Sequence, residues 1–198
     1  MRLDSRATTR AVAIAGADLT PIQVVACAAA LVLADWSFRQ TGVSIFPGGA
    51  LDETGHLLTT LLALQVLPRR WRVAIALPAL IASVAIDLDH LPQYVGWDFL
   101  TRGTPRPYTH SLLTLAVLIA AAARCARRRQ LLVGIAFGVA VHLLRDMGEG
   151  GGGVALLWPL TDRSFSYSHD IYLVLIACAV AADVCLAAIR SRRLASTV

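Results

Sequence analysis

The chain has 198 residues, 57% of them hydrophobic and 16% charged, with a net charge of +5 and a mean hydropathy of +0.64. Soluble domains carry about 25% charged residues, so the composition excludes an ordinary soluble domain and points to an all-α, polytopic membrane helical bundle. The positive charge is arginine alone, set in short clusters between apolar runs, which is a topology pattern and not a nucleic-acid-binding stripe.

The length suits one membrane domain over residues 1–198, with about six transmembrane helices. Residues 1–50 form an N-terminal extension holding the first span, from Pro21, suited to a first helical turn, to Phe38. The second span runs from Gly55-His56 to just before Pro68, and is short for a crossing of ~20 residues. Arg69, Arg70 and Arg72 mark a turn into the third span, Trp71 to Ile86, with a kink expected at Pro78. A loop rich in proline and glycine follows, from Leu91 to Tyr108.

The fourth span runs from Thr109 to Ala123 and the fifth from Leu131 to Met147. Gly134 and Gly138 in the fifth have the small-xxx-small spacing of close helix packing. A second loop opens at Gly150–Gly153 and ends near Ser168. The region 169–198 supplies the last span, Ile171 to Ile189, and a basic tail. Cys27, Cys125, Cys178 and Cys185 form no Cys-x-x-Cys pair and read as small buried hydrophobes.

Thirteen of the eighteen arginines fall at the N-terminus, the span two–three and four–five turns, and the C-terminus, giving an N-in, C-in topology. That assignment uses arginine only. It places all five histidines, His56, His90, His110, His142 and His169, at the outer face, with Asp87, Asp89, Asp146 and Asp170. Ionisable residues at the ends of membrane helices are costly and by default suggest function. His142 and Asp146, at i and i+4, share a helix face, as do Asp87 and His90 at i and i+3.

Imidazole and carboxylate one turn apart suit a divalent metal, and His56 and His110 offer further donors from other helices. The set is large enough for one ion with supporting partners or for two bridged ions, zinc first, manganese or magnesium as alternatives. Such a site activates water for hydrolysis, with a spare aspartate or histidine as general base and Arg106 suited to an anionic group such as phosphate. Two rival readings remain. A metal or proton relay needs polar residues through the bilayer, where Asp183, Thr114 and Ser83 are the candidates. A scaffold with a structural metal needs a closed site.

Gly55-His56-Leu57-Leu58, Asp87-Leu88-Asp89-His90, Arg106, Thr109-His110-Ser111, His142-x-x-x-Asp146 and Leu156-Leu157-Trp158-Pro159 occur in this order. The set resembles the YdjM-like family of LexA-regulated, membrane-bound metal-dependent hydrolases, over roughly Gly55 to Leu160. The resemblance implies a multi-pass protein of the bacterial cytoplasmic (inner) membrane with a divalent-metal hydrolase site. The His-x-x-x-Asp element is also similar to one in zinc-dependent phospholipase C and P1-type nucleases, which points to phosphoester cleavage. Pro105 stands where the family usually has a histidine, and Gly148-Glu149-Gly150 replaces a usual Thr-Pro.

The combined expectation is an outward-facing metal hydrolase acting on a phosphoester of a lipid or membrane-proximal small molecule. Its expected ligands are His56, Asp87, His90, His110, His142 and Asp146, with Asp89 as base or bridge, Arg106 as anion holder, and Ser111 orienting a neighbour.

Overall fold

The structure, a computed structural model, describes residues 15–41, 45–149 and 152–195. Among the described residues six apolar helices follow in order: α1 Pro21–Thr41, α2 Ala50–Gln65, α3 Arg69–Ala85, α4 Leu112–Arg124, α5 Arg129–Gly148 and α6 His169–Ala195. Helices are the natural answer here, because in hydrocarbon each backbone N–H and C=O must be satisfied within its own segment. The described residues contain no strand, only an isolated bridge between Val154 and Phe165.

Among the described residues, four helical stretches are long and apolar enough to cross a membrane: Pro21–Thr41, Arg69–Tyr94, Ala126–Gly148 and His169–Ile189. By length and composition that is somewhat fewer than the expected six spans, α2 and α4 being the two shorter helices. Helix α2 has 16 residues and α4 has 13, below the ~20 that a crossing takes. Pro68 follows the end of α2, whereas α4 starts only at Leu112 because Ser111 is extended, at φ −145° and ψ 162°. Arg2, Arg6 and Arg10, used for the topology, lie outside the described residues.

The contacts gather into two compact units, 1–76 with 174–198, and 77–173. In the first unit α1 packs on α2. Arg72 is fully buried there, donating to the carbonyls of Gly16 (3.2 Å) and Gln65 (3.1 Å) and pairing with Asp18. It therefore serves a last-turn carbonyl of α2 as well as marking a basic turn. Asp18 also lies 3.3 Å from Arg69.

In the second unit, Ala82, Val139, Leu143 and Val154 form a buried core, flanked by Leu115, Leu118 and Ile135. Helix α3 continues through Pro78 and then tightens into a 3₁₀ segment, Ile86–His90, and one more turn, Leu91–Tyr94. Gly138 explains how α5 approaches α3: a Cβ there would lie 2.2 Å from the Ala79 carbonyl oxygen. Helix α5 is the most enclosed of the four long stretches, with 56% of its apolar window buried against 11% for α6. The cysteines differ from expectation, since Cys178 and Cys185 are exposed on α6 and Cys27 and Cys125 are half-buried. In a membrane, an apolar side chain is as well placed against lipid as against protein.

Candidate metal centre

The second unit is built so that three segments end at one point. The 3₁₀ segment brings residues at i and i+3 into line, so His90 Nδ1 lies 3.3 Å from Asp87 Oδ1, and also 3.1 Å from Asp89 Oδ1. The loop before α4 delivers His110, fully buried, and α5 delivers His142 and Asp146 one turn apart, both fully buried. Asp87, Asp89, His90 and His110 each offer one donor atom, and those atoms all lie within 4.8 Å of one another.

The tightest constellation has four atoms. His110 Nε2 lies 3.1 Å from Asp87 Oδ1 and 3.1 Å from His142 Nε2. His142 Nε2 lies 3.2 Å from Asp146 Oδ2 and 3.4 Å from Asp87 Oδ1, and His110 Nε2 lies 3.7 Å from Asp146 Oδ2. A tetrahedral zinc with arms of about 2.0–2.2 Å has ligand–ligand edges of about 3.3–3.6 Å. The separations here are of that order, so these residues could hold a divalent metal ion.

The tautomers agree with that fit. His142 Nδ1 lies 2.8 Å from the Ser83 carbonyl oxygen, so it carries the proton and donates there. Its Nε2 then offers a lone pair. Ser83 is one of the last four carbonyls of α3, which a helix leaves for outside donors. His110 Nδ1 faces Asp89 Oδ2 at 3.4 Å, and that carboxylate in turn accepts the Thr109 hydroxyl. Two imidazoles thus turn Nε2 toward each other; His142 is held from behind by the Ser83 carbonyl, the usual arrangement of metal-binding histidines, and His110 Nδ1 lies within ion-pair distance of Asp89.

Asp146 Oδ1 lies 3.3 Å from Arg106 Nη2, which is also 3.9 Å from Glu149 Oε2. Arg106 therefore faces two carboxylates and fixes the orientation of Asp146. Glu149 pairs further with the fully buried Arg145, whose Nη1 donates to the Tyr172 hydroxyl at 3.2 Å. Tyr167 donates its hydroxyl to the Leu144 carbonyl. Burial, and then the neighbouring Tyr172, pushes the Tyr167 hydroxyl up to about 12, so it stays a donor at physiological pH.

Of the residues expected at the site, Asp87, Asp89, His90, Arg106, His110, His142 and Asp146 come together in the second unit. His56 lies in the first unit, fully buried on α2, with Nε2 3.5 Å from Asp52 one turn earlier. His169 faces the Gly148 carbonyl at 3.3 Å. Ser111 is buried at the start of α4 without forming a side-chain cap.

A family model described as YdjM inner membrane protein matches residues 51–197. The chain belongs to this family. No curated protein and no solved structure matches it. The YdjM match leaves out α1 and takes in both loops and all the residues of the cluster. Sequence reasoning missed the Ser83 carbonyl, Thr109 and the Arg145–Glu149–Tyr172 chain. Thr109 stood in the Thr-His-Ser motif and Ser83 among the relay candidates without these roles, and for Arg145 and Glu149 the i and i+4 spacing was the signal.

Proposed function

We propose that this YdjM family member is a divalent-metal-dependent hydrolase that cleaves a phosphoester of a lipid or membrane-proximal substrate at the extracytoplasmic face of the inner membrane. The observation that carries the reading is the set His110 Nε2, His142 Nε2, Asp87 Oδ1 and Asp146 Oδ2, in which each imidazole nitrogen lies 3.1–3.7 Å from the other and from both carboxylate oxygens. Two imidazoles with two carboxylates favour zinc, with manganese or magnesium as alternatives. His90 and Asp89 supply donors for a second ion beside the first.

A divalent cation held there supplies Lewis-acid charge and makes water acidic enough to attack at neutral pH. The chain's own residues then have separate tasks. Asp89, held by Thr109, takes a proton from the attacking water. The water oxygen bonds to phosphorus, the ester P–O bond breaks, and the protonated Asp89 returns its proton to the departing alkoxide, which leaves as the alcohol. Arg106 holds Asp146 in place and adds positive charge on the side where the phosphate oxygens gather.

The test is the metal content of detergent-purified protein, wild type beside His142→Ala and Asp87→Ala. Stoichiometric metal in the wild type, lost in both variants, supports the shared site, and a phosphoester screen follows. Wild-type protein that stays metal-free after addition of zinc or manganese overturns the reading. Tight metal with no turnover on any phosphoester leaves a structural metal in its place.

A further inference from the structure

Helices α3, α4 and α5 line an apolar groove of about 480 Å³ within the second unit. Ile81, Ala85, Leu118, Leu131 and Ile135 are among the lining residues, and Ile81, Ala85 and Leu131 are exposed, so the groove opens at the helix surface. Its lining is polar at Asp89, Thr109 and Thr114. Asp89 and Thr109 are hydrogen-bonded to each other, and Asp89 lies within ion-pair distance of His90 and His110. The apolar channel is therefore continuous with the candidate metal centre at one end.

The dimensions argue for one kind of occupant. Along α3 and its 3₁₀ extension the groove face runs from Pro78 to Asp89, about 18 Å at about 1.5 Å per residue in the α-helix and about 2.0 Å in the 3₁₀ segment. One leaflet of hydrocarbon is about 15 Å thick, half of a ~30 Å core. Along α5 the lining positions Leu131, Ile135 and Val139 recur every fourth residue, a single helical stripe. A channel one leaflet long, open sideways and polar only toward one end, matches one hydrocarbon chain with its head group attached. A second apolar groove, on α1 at Val25, Ala28 and Trp36, has no polar side chain among its described lining residues and looks like ordinary lipid-facing surface.

We infer that the groove between α3, α4 and α5 binds a hydrocarbon chain of a membrane phospholipid and so presents the phosphorylated head group to the Asp89–Thr109 end of the cluster. This rests on the hydrolase proposal for the identity of the reacting group, though the binding itself needs no turnover. Affinity comes from burying the chain, and selection comes from the fixed distance between the groove and the donor atoms. Substrates lacking a chain lose that positioning.

The experiment uses the full chain in phosphatidylcholine vesicles with a phosphatidic acid carrying a mid-chain diazirine, irradiated and mapped by mass spectrometry. Crosslinks should concentrate on peptides containing Ala85, Leu118 and Ile135, and excess phosphatidic acid should compete them away. Ala85→Trp and Ile135→Phe, which narrow the groove, should each lower this labelling about tenfold while the protein stays monodisperse in detergent. Crosslinks spread evenly over the lipid-facing helices, or unchanged in both variants, overturn the inference. Groove labelling by a protein without phosphoester turnover supports the groove and fails only the hydrolase reading. Turnover of a soluble phosphoester with evenly spread labelling fails only the groove.

Discussion

At the scale of single residues, the centre depends on which ring nitrogen carries a proton. The Ser83 carbonyl settles this for His142, and behind His110 the Asp89 carboxylate lies 3.4 Å from Nδ1. Loss of a partner behind a metal-binding histidine typically costs 10- to 100-fold in affinity. Thr109→Val, which frees Asp89 to turn, should therefore weaken zinc binding about tenfold without abolishing it, as read by competition with a chromogenic chelator. An unchanged affinity would remove Thr109 from the support of the site. Tyr167→Phe should cost about 1 kcal/mol in thermal unfolding, the worth of one hydrogen bond to the Leu144 carbonyl. In an ultraviolet difference titration that variant should also lose the tyrosine that ionises near 12.

At the scale of elements, the close approach of α5 to α3 positions the site. Gly138 meets Ala79, and one turn further along both helices His142 meets Ser83. The two helices therefore run the same way with their contact in register. A side chain at 138 must force them apart, because the nearest atom is backbone and not a flexible tip. Gly138→Val should cost about 1–3 kcal/mol, and should lower metal affinity by separating His142 from Ser83. A variant that keeps both stability and metal would detach the glycine from the site. The Gly134 and Gly138 spacing announced a close contact, though the sequence alone left its partner helix open.

At the scale of the whole molecule, four stretches among the described residues are long and apolar enough to cross a membrane, and α2 and α4 are shorter than the ~20 residues of a straight crossing. The arginine pattern predicts that the turn at Arg127–Arg129 is cytoplasmic and the loop at 95–108 is outside. Reporter fusions at these two positions, which flank the 13-residue α4, test whether that helix crosses: opposite signals, with the active phosphatase form at the 95–108 loop, keep the arginine topology, and like signals show that α4 stays on one side. The reverse result would turn the candidate centre toward the cytoplasm and rule out extracytoplasmic substrates.

Much of this was legible in the residues themselves. Helices are local, their hydrogen bonds close within four residues, and an apolar run bounded by arginines needs no distant partner to be read. The donors Asp87, His90, His142 and Asp146 were visible for the same reason, since i, i+3 and i, i+4 spacing is a property of one helix. Which atoms converge is a different matter. That His110 and His142 meet through Nε2, that Arg106 turns to Asp146, and that Arg72 is buried on Asp18 all depend on helix register and loop closure. Those are set by contacts between segments far apart in the chain, such as Gly138 on Ala79. Only the packed tertiary structure decides them.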